Sequence, residues 1–270
     1  MRALSQPAWP ASWTALHWPG NPRVRGLFSS RDGGGSRGPY AAAEGAGGMN
    51  LATHVGDDLQ QVLRNRERLA TWLGGVQAVW LEQVHGIEVA DLDAWDGTRA
   101  LCADAALCSR PGVAAAVLVA DCLPVLLAAP QGRAVAAAHA GWRGLAAGVL
   151  ERSADALAGR AGCHGADLQA WLGPAIGPAH FEVGEEVRAA FVAADALAAR
   201  AFAPSRRQGH WMADLFELAR QRLQRAGLPR ASILGGGRCT VADPARHYSF
   251  RRDRITGRQA GLVWIEASAS

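Results

Sequence analysis

Residues 111–141 read PGVAAAVLVADCLPVLLAAPQGRAVAAAHAG, and this run restricts the possible fold more than any other part of the chain. Val, Leu and Ala dominate it, as in strands that lie inside a protein rather than at its surface. Asp121, Pro124 and the turn from Pro130 to Gly132 interrupt it, so it predicts three short buried strands. Its longest apolar stretch, around residues 112–120, is about half of the ~20 residues a membrane-spanning helix needs, so no span is expected.

The rest of the chain alternates between the two regular structures. Asp57 or Asp58 is placed to cap a helix through residue 73, along which Leu59, Val62, Leu63, Leu69 and Trp72 recur at helical spacing. GVQAVWLEQVHG predicts a strand ending at His85, IEVADL a second short strand, and the segment from Gly144 to Ala158 a helix. DLQAWLGPAIG reads as a strand opening into a loop, EEVRAAFVAADALAARAF and MADLFELARQRLQRAG as helices, and ASILGGGRCT and LVWIEAS as late strands. Residues 31–50, rich in glycine and small side chains, predict a long loop. Strands interleaved with helices in 270 residues point to an α/β protein folded as one domain.

Composition then excludes several chemistries. Every basic residue is arginine, so Schiff-base catalysis and the P-loop lysine are ruled out. The net charge of +4 is spread along the chain, densest at Arg251, Arg252, Arg254 and Arg258, which suits an anionic small molecule better than a nucleic acid. Five cysteines in no compact framework read as free thiols, and MRALSQPAWPASW lacks the apolar core of a secretory signal, so a cytoplasmic protein is expected. GGGSRG fits a dinucleotide fingerprint only in spelling, because Pro39 and a small-residue loop follow where a helix is required. His180-Phe181-Glu182 likewise lacks the PCxxC partner of a zinc deaminase.

His85, Cys122 and His139 each fall near a predicted strand end, where side chains from different strands can converge on one rim. Two imidazoles and a thiolate make a set suited to zinc with a fourth position open, and copper is chemically admissible. Cys122 with His139 as its base would instead make a cysteine hydrolase, in which the thiolate must be free to attack. His85 discriminates, because a dyad does not need it. A buried thiol and two ordinary satisfied histidines remain the plain alternative.

QVHG at 83–86, ADCLPVLL at 120–127, HAGWRG at 139–144, GPAIGPAHFEVGEEV at 173–187 and YSFRRDRITGR at 248–258 together resemble the laccase-domain family, also called multicopper polyphenol oxidase-like proteins. SSRDGGGSRGPY and NLATHVGDD resemble its N-terminal motifs, so the resemblance runs from about residue 28 to 265. It implies a four-layer α/β/β/α sandwich with mixed sheets and a metal site at His85, Cys122 and His139. It implies phosphorolysis of adenosine, inosine, guanosine and methylthioadenosine, with adenosine deamination beside it; a monomer that engages neither nucleic acid nor membrane is expected. Arg31, Asn50, Gln83, Arg143 and Arg251, each within a matching motif, are the residues expected to bind nucleoside and phosphate. Zinc is the expected metal and copper the alternative.

Three other activities attach to the same resemblance or residues. Some bacterial members are described as peptidoglycan editing factors, which would make the chain an amidase acting on a muramyl-amino-acid nucleotide. The older oxidase label implies copper, although the remaining histidines form no HxH pairs. A metal-stabilised binding module would hold the ion without turnover. The chain departs from the family pattern at Phe250, where tyrosine is common, and at Arg254, where glycine is.

Overall fold

The computed structural model describes residues 9–267. Most of the N-terminal segment that was read for a signal, and the last residue of LVWIEAS, lie outside the described residues. Two sheets form the centre. The first has the order β1 (Thr14–Leu16), β2 (Val24–Phe28), β17 (Gln259–Ile265), β9 (Val113–Val119) and β4 (Gln77–Val79). The second runs β16 (Ile233–Gly235), β12 (Gln169–Leu172), β10 (Leu123–Ala128), β11 (Val135–Ala140), β8 (Ala105–Cys108) and β6 (Val89–Asp91). Both are mixed: β4 is parallel to β9 and β12 to β16, whereas β10, β11 and β8 pair antiparallel.

Strand β10 shows why its sequence is apolar throughout. Val125 and Leu127 point to a layer of helices, and Leu126 and Ala128 point to the other sheet, so both faces are buried. On the helix side the second sheet packs against α3 (Val149–Ala161), α4 (Glu185–Val192) and α5 (Leu215–Arg225) through Leu150, Leu157, Phe191 and Leu218. The first sheet packs its outer face on Leu69 of α1 (Leu59–Trp72), together with Met49 and Leu51. The result is the expected α/β/β/α sandwich. Leu126 is fully buried between the sheets, and Leu126→Ala is expected to cost ~2–5 kcal/mol, read as a Tm lowered by ~5–15 °C in a thermal melt. An unchanged melt would contradict this account of the core.

Several boundaries differ from the sequence reading for identifiable reasons. Asp58 caps α1 as expected, its side chain accepting from the backbone N–H of Gln60 at 2.9 Å. The glycine-rich loop contains β3 (Asp32–Ser36), whose backbone bridges to Gly48 so closely that a Cβ on Gly34 would lie 2.0 Å from the Gly48 carbonyl oxygen. The helix expected from Gly144 is two: α2 (Trp142–Ala147) stops at Gly148, whose φ of 102° is left-handed, and α3 starts anew. The helix expected beyond Glu185 ends at Val192 and gives way to a 3-10 turn capped by Asp195. The start of the next expected helix pairs as β15 (His210–Ala213) with β13 (Glu182–Gly184) and β14 (Phe202–Pro204) before Asp214 caps α5.

The three consecutive apolar strands do not share a sheet. β9 belongs to the first sheet and β10 and β11 to the second, so the chain changes layers at Ala120, Asp121 and Cys122. It changes layers again between β4 and β6, across the segment that holds β5 (Leu81–Glu82), which pairs with β7 (Leu101–Cys102), and then His85. No helix among the described residues is long and apolar enough to cross a membrane.

Candidate metal centre

Both layer changes open at the same end of the sandwich, and each delivers one metal-ligating side chain there. Cys122 sits on the connection from β9 to β10, directly after Asp121, whose φ of 88° makes the tight reversal. The Asp121 carboxylate holds that reversal, accepting from the Thr240 hydroxyl at 2.5 Å and from the Arg251 backbone N–H at 2.6 Å. His85 lies not at a strand end, as the sequence implied, but three residues past β5 with a φ of 61°. His139 is the penultimate residue of β11, buried on the face that β11 turns to the other sheet.

The ligand atoms of His85, Cys122 and His139 all lie within 4.8 Å of one another. His85 Nε2 is 3.8 Å from Cys122 Sγ, and the two imidazoles meet edge to face with centroids 4.8 Å apart. Gly141 leaves room for them, since a Cβ there would lie 2.7 Å from His85 Cδ2 and 3.1 Å from the Cys122 sulfur. Burial opposes charge on Cys122 and His139, but their mutual attraction outweighs it: the thiol is lowered to about 6 and the imidazole raised to about 9. A thiolate at neutral pH is the form a metal requires.

One residue that sequence reasoning missed organises the centre. Asp104, fully buried just before β8, accepts backbone N–H groups from Val84 (3.1 Å), His85 (2.9 Å) and Gly86 (2.6 Å). It also takes the Nδ1 proton of His139 at 2.8 Å, which leaves His139 Nε2 for the sulfur or for a metal that the cluster could hold. Burial pushes the Asp104 carboxyl up, but the hydrogen bonds from His139 and Gly86 prevail and hold it below the usual carboxylate range. Its only sequence signal was an acid inside the apolar stretch LCADAALC.

A cavity of about 270 Å³ opens onto the three ligands and is also lined by His54, Gln83, Phe250 and Arg258. His54 lies in NLATHVGDD and Arg258 in YSFRRDRITGR, but no local pattern singles out either side chain. Arg258 Nη1 donates to the carbonyls of Thr256 and Gly257, whereas its Nε and Nη2 make no hydrogen bond among the described residues. Desolvation, then Arg258 and Arg66, lower the pKa of His54 and favour its neutral form.

The other expected residues are distributed around this cavity rather than gathered in it. Gln83 lines it, with its amide paired in both directions to the Leu118 backbone. Asn50 is fully buried, and its side-chain oxygen accepts the backbone N–H groups of Ala52 and Arg258. Arg251 lines a neighbouring cavity that shares Cys122. Arg143 is exposed on α2 and stacks on Trp142, 4.4 Å from the ring centroid. Arg31 lies apart from the metal cavity, donating to the carbonyls of Ala41 and Pro244.

Residues 25–266 match the family described as multi-copper polyphenol oxidoreductase laccase. The chain is 49% identical over 255 residues to a Pseudomonas aeruginosa protein named purine nucleoside phosphorylase PA4543, covering 94% of this chain and 99% of that one. It is 44% identical over 252 residues to the Escherichia coli K12 protein named purine nucleoside phosphorylase YfiH, covering 92% and 96%. The crystal structure of Neisseria meningitidis protein NMB0706 superposes with a TM-score of 0.86 at 40% identity over 95% of this chain and all of that one. YlmD from Geobacillus stearothermophilus gives 0.81 at 30% identity, covering 94% and 96%. With a match that spans both sheets and both layer changes, the chain belongs to the multi-copper polyphenol oxidoreductase laccase family, which includes the proteins named purine nucleoside phosphorylase.

Proposed function

We propose that the chain is a zinc-dependent purine nucleoside phosphorylase acting on adenosine, inosine, guanosine and methylthioadenosine, with adenosine deamination at the same centre. The observation that carries the reading is a preassembled N, N, S set whose open side faces a cavity lined by an arginine with unused donors. Three protein ligands and one open position are the pattern of catalytic zinc. Copper can use the same ligands, but oxidase chemistry of the multicopper kind needs several ions, and one such cluster occurs among the described residues. Zinc, when bound, supplies Lewis acidity and lowers the pKa of water toward ~7.

The chain's own residues supply position and charge. In phosphorolysis a phosphate oxygen bonds to the anomeric carbon while the purine leaves, so positive charge develops on the sugar and negative charge on the base. Arg258 is placed to hold phosphate in a bidentate grip, a role the sequence reading had offered to Arg31, Arg143 or Arg251. Asn50 fixes the backbone at Arg258, Gln83 pins the loop that carries His85, and Asp104 orients His139. We place the protein in the cytoplasm, a reading that its five free thiols support, and take it to act as a monomer.

The cysteine-hydrolase reading keeps one specific observation in its favour, the line from Cys122 to His139 to Asp104, which has the order of a nucleophile, its base and an orienting acid. The presence of His85 beside the same sulfur argues for ligation instead. Chromatography of adenosine incubated with and without inorganic phosphate separates the activities. Adenine is expected only with phosphate, and inosine in either case; an absence of base release under both conditions rules out phosphorolysis.

A further inference from the structure

The apolar layer between the two sheets opens to the surface along one edge. The outermost strands there are short, since β1 and β16 each have three residues. Residues of β1, β2, β12 and β16 enclose a cavity of about 190 Å³, walled by Leu16, Phe28, Trp171, Leu172 and Pro174. Leu16, Phe28 and Trp171 also pack in the core between the sheets, so the cavity continues that layer outward. None of its lining residues borders either cavity at Cys122, and none is an acid, a histidine or a cysteine.

The polar side chains of this cavity, Thr14 and Arg238, come from opposite sheets and meet. Arg238 follows β16 and reaches to β1, where its Nη1 donates to the Thr14 hydroxyl oxygen at 2.7 Å. Among the described residues its Nε and Nη2 make no hydrogen bond, and the Thr14 hydroxyl proton has no acceptor. An exposed guanidinium thus stands beside an apolar, aromatic space with no carboxylate in its walls.

We propose that this cavity is a binding site for a small aromatic carboxylate, its ring against Phe28 and Trp171 and its carboxylate on Arg238 and Thr14. Two coplanar oxygens match the parallel N–H groups of a guanidinium, and a ring offers faces and edges to aromatic walls. The orientation follows from solvation. A carboxylate turned inward would lose its hydration against Leu16 and Leu172, whereas at Arg238 it keeps water and gains donors. The volume limits the ligand to one ring, being smaller than the ~300–1,000 Å³ of sites for drug-sized molecules. With no base or thiol in the walls, the occupant is held and not transformed.

Calorimetric titration with phenylacetate tests the assignment, with phenylacetamide as the uncharged analogue and acetate as the ringless one. Phenylacetate is expected to bind with a Kd on the order of 1 mM or below, and the other two at least about tenfold more weakly. Arg238→Gln is expected to weaken phenylacetate about tenfold and to remove its advantage over the amide; Thr14→Val weakens it to a smaller extent. Trp171→Leu keeps apolar bulk but removes a π face, and should weaken acid and amide alike. A thermal melt identifies any variant that fails to fold, and the exposed Arg238 is the one least able to disturb the core. A wild-type protein that binds no phenylacetate overturns the proposal, as does equal affinity for acid and amide. Binding that survives both Arg238→Gln and Thr14→Val but falls with Arg258→Gln, or that requires added zinc, places the carboxylate at the metal centre and overturns it too.

Discussion

Replacing Cys122 with serine is expected to lower the proposed zinc content from about one ion per chain to a small fraction, and to slow the proposed phosphate-dependent nucleoside cleavage on the order of a thousandfold. The metal result follows from ligand chemistry, since a serine hydroxyl keeps its proton at neutral pH while the thiol beside His139 titrates at about 6. The rate follows from the several kcal/mol of charge stabilisation a metal supplies, at ~1.36 kcal/mol per tenfold. Elemental analysis and single-turnover kinetics on one preparation check both. The two readouts also divide the competing chemistries. A variant that keeps its zinc and loses all turnover makes Cys122 a nucleophile rather than a ligand. A variant that keeps both removes Cys122 from the centre.

Asp104→Ala is expected to weaken zinc binding ~10–100-fold and to lower stability by ~3–5 kcal/mol, a Tm fall on the order of 10 °C. The cause is the number of groups that depend on one buried carboxylate. Three successive N–H groups of the His85 loop and the His139 Nδ1 proton all point at it, and none reaches another acceptor across the cavity its removal leaves. The loop would relax toward solvent and His139 would lose its fixed tautomer. Asp104→Asn retains one acceptor oxygen and should fall between wild type and alanine. A competition titration against a zinc chelator, with a thermal melt of the metal-free protein, measures the two effects separately. Unchanged zinc affinity in Asp104→Ala would show that the loop and ring hold their places without it.

The sequence by itself determined which strands lie inside the protein and which side chains are candidate ligands. Strands β10 and β11 had to be interior because both faces of each are apolar, and α1 was legible from a capping aspartate ahead of a helical stripe. His85, Cys122 and His139 were legible as a possible N, N, S set, and the motifs that resemble the family, rather than their spacing, favoured that reading over a buried thiol and two satisfied histidines. What the tertiary structure alone decided is where the chain changes sheets. A run of apolar residues looks the same whether its strands pair with each other or separate into two layers, since burial and not partner sets the pattern. That choice places Cys122 and His85 on two crossings at one end of the sandwich. The same limit hid Asp104 and Arg258, whose roles come from partners 18–20 and 208 residues away in sequence. Local pattern reports how far a residue is buried, but hydrogen-bond partners and cavity walls form only when distant segments meet.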